Sequence, residues 1–254
     1  MSNVNAKRLL PALLAGACFY VPGANAAQIP FFNPYPNLDK SLWYISSGWT
    51  NGSWMGCELL ASAIGVDGQN IKITLSTNGK PTVRPYSCGE FHTNARTGYG
   101  MYETSMKSAF GSGLNSTFFT YIGPGVGVPV HDEIDFEFLG YMPKHVQVNY
   151  WVDGVSKDGT MINLGFDASQ GYHIYSFDWE PTSITWYVDG VVVHKTKPGA
   201  VMPKTPSRLY MSLWSGTSEL NSWLGPFNYT GPVSAEYEWV KYTPPATSTP
   251  SATH

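Results

Sequence analysis

The sequence predicts an all-β protein, a sandwich or barrel built from short strands. Two observations carry this expectation. Short apolar segments recur along the chain, punctuated by Gly, Asn, Asp and Pro, and no long stretch repeats its apolar residues at helical spacing. The chain has 254 residues and 43% hydrophobic content, enough for one substantial core. All-β chains of this length commonly form a single domain.

The segments read as follows. Residues 70–75 (Asn-Ile-Lys-Ile-Thr-Leu) alternate polar and apolar positions, the period of a half-buried strand. Residues 146–151 (Val-Gln-Val-Asn-Tyr-Trp) do the same, which puts Asn149 and Trp151 on one face. Residues 184–188 run into Asp189-Gly190, and 191–194 follow, a strong hairpin signal. At the end of the chain, residues 244–254 are rich in Pro, Ser and Thr and read as a disordered tail.

The other end reads as an export signal. Lys7 and Arg8 precede an apolar run from Leu9 to Tyr20, and Ala24-Asn25-Ala26 forms a small-x-small cleavage site. The run is too short for a permanent membrane span. A signal peptide over 1–26 and a mature domain over 27–243 are therefore expected. The location is then extracellular or periplasmic, with no membrane attachment after cleavage. Of three cysteines, Cys18 leaves with the signal, and Cys57 and Cys88 remain. An even remainder in an oxidising compartment suggests one disulfide, two free buried thiols being the alternative.

Net charge is only -3, charged residues make up 13% and aromatics 15%, with 9 Trp and 16 Tyr. An aromatic, nearly neutral surface suits an uncharged polymer such as a polysaccharide. It lacks the basic footprint of a nucleic-acid binder. Core packing is the competing reading of the aromatics.

Residues 132–139 (Asp-Glu-Ile-Asp-Phe-Glu-Phe-Leu) are the most informative. On a strand, Glu133, Asp135 and Glu137 share one face, and Ile134, Phe136 and Phe138 share the other. Like charges about 7 Å apart along a strand disfavour ionisation, and a structural role has no need of such a row. Glycoside hydrolysis does need one. A retaining mechanism places two carboxyl groups about 5–5.5 Å apart. Glu133 and Glu137 are separated by about 13 Å at Cα on an ideal strand. Long Glu side chains leaning together over a curved sheet close much of that gap. His145, His173 and His194 show no metal-ligand spacing and read as strand or surface residues.

Glu133-Ile134-Asp135-Phe136-Glu137 resembles the signature of glycoside hydrolase family 16. The likeness to that family's bacterial lichenase branch, the endo-β-1,3-1,4-glucanases, extends over nearly all of the expected mature chain. It includes Gly98-Tyr99-Gly100, residues 116–121, residues 164–169, Trp186 to Gly190, Trp223-Leu224-Gly225 and Glu236-Tyr237. The resemblance implies a β-jelly-roll sandwich of two curved antiparallel sheets, with a sugar-binding cleft on the concave face. It implies Glu133 as nucleophile and Glu137 as acid/base, with Asp135 assisting, and it places Cys57 and Cys88 at disulfide positions. By the same matching, Trp49, Asn51, Glu90, His92, Phe119, Tyr121, His131, Asn149, Trp151, Trp214 and Trp223 fall at substrate-binding positions.

Departures accompany the likeness. His131 stands where lichenases usually carry Trp, and residues 131–140 also look like the motif of plant xyloglucan endotransglucosylases. His92 stands in place of Arg and Ser212 in place of Asn. Glu238 replaces an Asp associated with a structural calcium in the branch, so the metal ligands stay open. No cofactor is required by the implied reaction. The implied partner is a β-glucan, acted on by a monomer. The readings carried forward are mixed-linkage glucan hydrolysis, an activity on xyloglucan, β-1,3-glucan or a bacterial exopolysaccharide, and a carbohydrate-binding protein without catalysis. A pure binding protein has no need of the Glu-Asp-Glu row.

Overall fold

Alternation of buried and half-buried side chains is clear in residues 70–75, where Ile71, Ile73 and Leu75 are fully buried. The structure, a computed structural model, describes residues 30–34, 38–68 and 70–246. The expected signal and residues 247–254 of the expected tail lie outside them.

In chain order the strands are β1 (Phe31–Pro34), β2 (Trp43–Ile45), β3 (Cys57–Leu59), β4 (Ile64–Asp67), β5 (Asn70–Leu75) and β6 (Tyr86–Thr93). They continue as β7 (Gly100–Lys107), β8 (Leu114–Ile122), β9 (Asp132–Leu139), β10 (His145–Val152), β11 (Val155–Ser156) and β12 (Thr160–Asn163). The last are β13 (His173–Trp179), β14 (Ile184–Val188), β15 (Val191–Lys195), β16 (Arg208–Ser215) and β17 (Val233–Thr243). A single helical turn, α1 (Asn221–Leu224), precedes β17.

Two sheets form. The front sheet runs β11-β10-β9-β8-β16-β6-β2, with β12 added on β10 and β3 on β6. The back sheet runs β15-β14-β13-β7-β17-β5-β4, with β1 added on β17. All pairs are antiparallel except β3 with β6. This is the jelly-roll sandwich that the resemblance implies. The predicted hairpin forms, with Asp189 at φ 49° and Gly190 at φ 77°, the positive pair a two-residue turn requires. Asp153-Gly154, between β10 and β11, repeats it at φ 51° and 77°.

The core lies between the sheets. Ile134, Phe136 and Phe138 of β9 point into it, beside Phe118 and Met211 and against Tyr175 and Phe177 of the back sheet. Two buried side chains of the back sheet bond front-sheet carbonyls. Trp186 Nε1 donates to Asp135 O at 3.1 Å, and Tyr237 OH donates to Thr117 O at 2.8 Å. Such bonds remove the penalty of burying these donors and fix the backbone under the carboxylate row. Cys57 and Cys88 are joined, tying β3 to β6 across 31 residues.

Candidate active site

Strand β9 places its carboxylates by periodicity alone, and its neighbours supply the rest of the floor. Glu133 lies opposite Tyr121 of β8 and Trp151 of β10. Asp135 lies opposite Phe119 and Asn149, and Glu137 opposite Thr117 and Gln147. The rows continue across the sheet. Tyr210 of β16 and His92 of β6 extend the Asp135 row, and Ser212 and Glu90 extend the Glu137 row. Residues in cross-strand register share a face. Together they line a cleft of about 1010 Å³.

All eleven sequence-predicted substrate positions line this cleft, as do Glu133, Asp135 and Glu137. Trp49 and Asn51 come from the segment between β2 and β3, and Trp223 from α1. Five of the 9 tryptophans border the cleft, namely Trp49, Trp54, Trp151, Trp214 and Trp223. Trp43, Trp179 and Trp186 fill the core instead. Ser46, Trp54, Met55, Thr117, Gln147, Tyr210 and Leu220 also line the cleft and were not singled out from sequence. For Thr117, Gln147 and Tyr210 the signal is their register with the carboxylate strand. Register is a property of strand pairing, which a sequence without known pairs does not display.

Several side chains are held in place. Asn149 Oδ1 accepts from Ser156 Oγ at 3.1 Å and from Asp158 N at 3.2 Å, which orients its amide. Trp223 Nε1 donates to Gln147 Oε1 at 2.7 Å. Thr117 and Ser212 share a hydroxyl bond of 2.6 Å. Ser46 Oγ donates to Glu90 Oε1 at 2.6 Å. The His92 ring stacks on Tyr44 with centroids 4.9 Å apart. His131 sits just before β9, and its Nε2 lies 2.7 Å from Glu133 Oε2. The histidine therefore engages a carboxylate of the row as well as bordering the cleft.

Electrostatics separate the carboxylates. Burial, then the nearby Glu133 charge, pushes the Glu137 carboxyl up to about 8, although Asn115 Nδ2 donates to it at 3.3 Å. Burial pushes Asp135 well above the carboxylate range, with Glu133 and Glu137 adding to the shift. Burial also raises Glu90 to about 7 against the opposing Ser46 hydroxyl. His131 is raised, first by its hydrogen bond to Glu133. Burial holds His92 below its usual range. A protonated carboxyl beside other carboxylates is the arrangement of a general acid.

The other histidines stand apart from the cleft, as the sequence suggests. His173 Nδ1 lies 2.7 Å from Asp189 Oδ2, and His194 Nε2 lies 2.8 Å from Asp158 Oδ2. Glu238, tied by the resemblance to a calcium site, accepts from Ser105 Oγ at 2.5 Å. Among the described residues no three His, Cys, Asp or Glu side chains converge as a metal site. Glu238 offers one carboxylate, so a calcium shell there would draw its other ligands from backbone oxygens. Among the described residues no helix is long and apolar enough to cross a membrane.

A jelly-roll sandwich with a carboxylate row on the floor of an aromatic cleft defines a glycoside hydrolase. Residues 51–241 match the family model described as Glycosyl hydrolases family 16, and the chain belongs to that family. It is 42% identical over 227 residues to a Beta-glucanase of Paenibacillus polymyxa, covering 89% of this chain and 92% of that one. An endo-1,3-1,4-beta-glycanase of Rhizobium meliloti is 38% identical, over 84% of this chain and 78% of its own. Among solved structures, the Bacillus licheniformis beta-glucanase superposes with a TM-score of 0.79 at 40% identity, covering 84% of this chain and 97% of that one. A beta-1,3-1,4-glucanase (lichenase) derived from a mouse hindgut metagenome does so with 0.80 at 34% identity, covering 85% and 99%.

Proposed function

We propose that this chain is a secreted, retaining endo-glucanase that hydrolyses β-1,4 bonds in mixed-linkage β-1,3-1,4-glucan. One observation carries the reading: Glu133, Asp135 and Glu137 stand together on the floor of a cleft walled by tryptophan and tyrosine. Aromatic faces pack on pyranose rings, and Asn51, Glu90 and Asn149 offer hydrogen bonds to hydroxyls. The glucanase activities for which the relatives are named support the choice of glucan. The Cys57–Cys88 disulfide supports an oxidising compartment.

In the first step Glu133 attacks the anomeric carbon while Glu137 protonates the departing glycosidic oxygen, leaving a glycosyl ester on Glu133. In the second, water attacks the same carbon, gives its proton to Glu137 and releases Glu133 as carboxylate. Glu137 must enter protonated, and its upward shift to about 8 supports that at neutral pH. Asp135 is pushed up as well, and its protonated form donates to Glu133. That bond orients the nucleophile.

The test is a substrate panel of lichenan, laminarin, xyloglucan and carboxymethylcellulose, read as initial rates and product profiles. Lichenan is expected to be cleaved fastest, to short oligosaccharides. Faster turnover of xyloglucan would overturn the choice and favour the transglucosylase-like reading that residues 131–140 suggest.

A further inference from the structure

His131 is placed by the sequence among the substrate contacts, yet its ring is enclosed by protein on several sides. One face stacks on Trp151 at 5.2 Å and 13°, and Tyr121 meets it edge-on at 5.2 Å. Its carbonyl accepts from Gly154 N at 2.9 Å, which fixes the backbone to the turn after β10. Gly154 is left-handed, and a Cβ there would lie 3.8 Å from Nδ1. The other ring nitrogen, Nε2, meets Glu133 Oε2 at 2.7 Å. A ring fixed by stacking, with one nitrogen on a carboxylate oxygen, is a pre-organised donor.

We propose that His131 is a positioning residue for the nucleophile: its Nε2–H holds Glu133 Oε2 in the free enzyme and stays on that oxygen when the glycosyl ester forms. This rests on the retaining reading above. In the first step the new bond to the anomeric carbon forms from Glu133 Oε1, the glycosidic C–O bond breaks, and Glu137 gives its proton to the leaving oxygen. Oε2 becomes the ester carbonyl oxygen and keeps the imidazole donor. In the second step water attacks, Glu137 takes its proton, the ester C–O bond breaks, and negative charge returns to the carboxylate against the same donor. The donor is matched to the charged form, so it favours ester cleavage as well as orienting attack.

Charged and titratable groups around His131 are Glu133 and Asp132 of β9 and Tyr121 of β8. Glu133 is the largest influence on the ring. The first test is therefore NMR titration of His131 in the wild type and in Glu133→Gln. Neutralising Glu133 should lower the His131 midpoint by about one pH unit, the size expected for loss of an adjacent opposite charge. An unmoved midpoint overturns the proposal. The second test is kinetic. His131→Phe keeps a ring on Trp151 and removes the donor, whereas His131→Gln keeps a donor. His131→Phe should lose about 10- to 100-fold in kcat/KM through kcat, a range typical of misplaced reacting groups. The acid limb of its kcat/KM profile should move to higher pH, and His131→Gln should restore both in part. Equal losses in the two variants, or an unmoved acid limb, would reduce His131 to a stacking residue. The NMR arm needs no turnover or altered residue 131, so an unmoved midpoint overturns the proposal even if His131→Phe does not fold. Inversion of configuration by the wild type would sink the retaining reading separately.

Discussion

Glu137, the proposed acid/base, would link catalysis to stability at the level of a single residue. Its carboxyl is raised from the ordinary 4.5 to about 8 in the folded protein. Between those values the folded state holds a proton that the unfolded chain has released. Stability from this group is therefore full below about 4.5 and is lost as pH rises through about 8. Glu137→Gln removes the titration. The variant should gain melting temperature over the wild type as pH rises from 5 to 8.5, by roughly 10 °C, and show no such trend below pH 4.5; calorimetry across that range checks it. An equal offset at every pH would contradict the shift. A second residue-scale expectation concerns the division of roles. With an activated aryl glycoside and azide, Glu133→Ala should yield an α-glycosyl azide and Glu137→Ala a β-glycosyl azide. Reversed products would exchange the two assignments. The row itself was legible because strand period 2 needs no tertiary information. The His131–Glu133 bond was not, since the local pattern does not say where the ring of a residue just outside the strand points.

Strand β9 works as an element because both of its faces are used. Its inward residues Ile134, Phe136 and Phe138 lock it into the core and so fix the backbone from which the outward carboxylates project. Asp132, which shares the inward parity, is buried and accepts from the backbone N–H groups of Asp153, Lys204 and Thr205. It anchors the entry of the strand to two loops, a role that no local pattern announces. The β3–β6 disulfide braces the other side of the front sheet, whose β6 carries Glu90 and His92 into the cleft. Closing a loop of 31 residues should stabilise by about 3–4 kcal/mol in the chain-entropy description. Cys57→Ser/Cys88→Ser is expected to lose that much in urea unfolding. A loss below about 1 kcal/mol would mean that the loop is already constrained when unfolded.

At the scale of the whole molecule, the back sheet serves the front one. Trp186 and Tyr237 reach across the core to carbonyls beneath Asp135 and Thr117, so the cleft floor rests on a hydrogen-bonded second layer. The sandwich class was legible in the sequence from short alternating strands and the Asp189-Gly190 turn. The jelly-roll order was not visible in any segment. Neighbours such as β9 and β8, or β16 and β6, are set by pairings between distant stretches, and only the family resemblance implied them. The same pairings decide which aromatics face the cleft and which face the core, as Trp151 and Trp186 show. Above all we propose that two carboxylates on one face of one strand carry out a double displacement with retention of configuration. Proton NMR of lichenan hydrolysis, read before mutarotation, tests it most directly. The new reducing ends should appear first as the β-anomer, whereas first release of the α-anomer would contradict a covalent intermediate on Glu133.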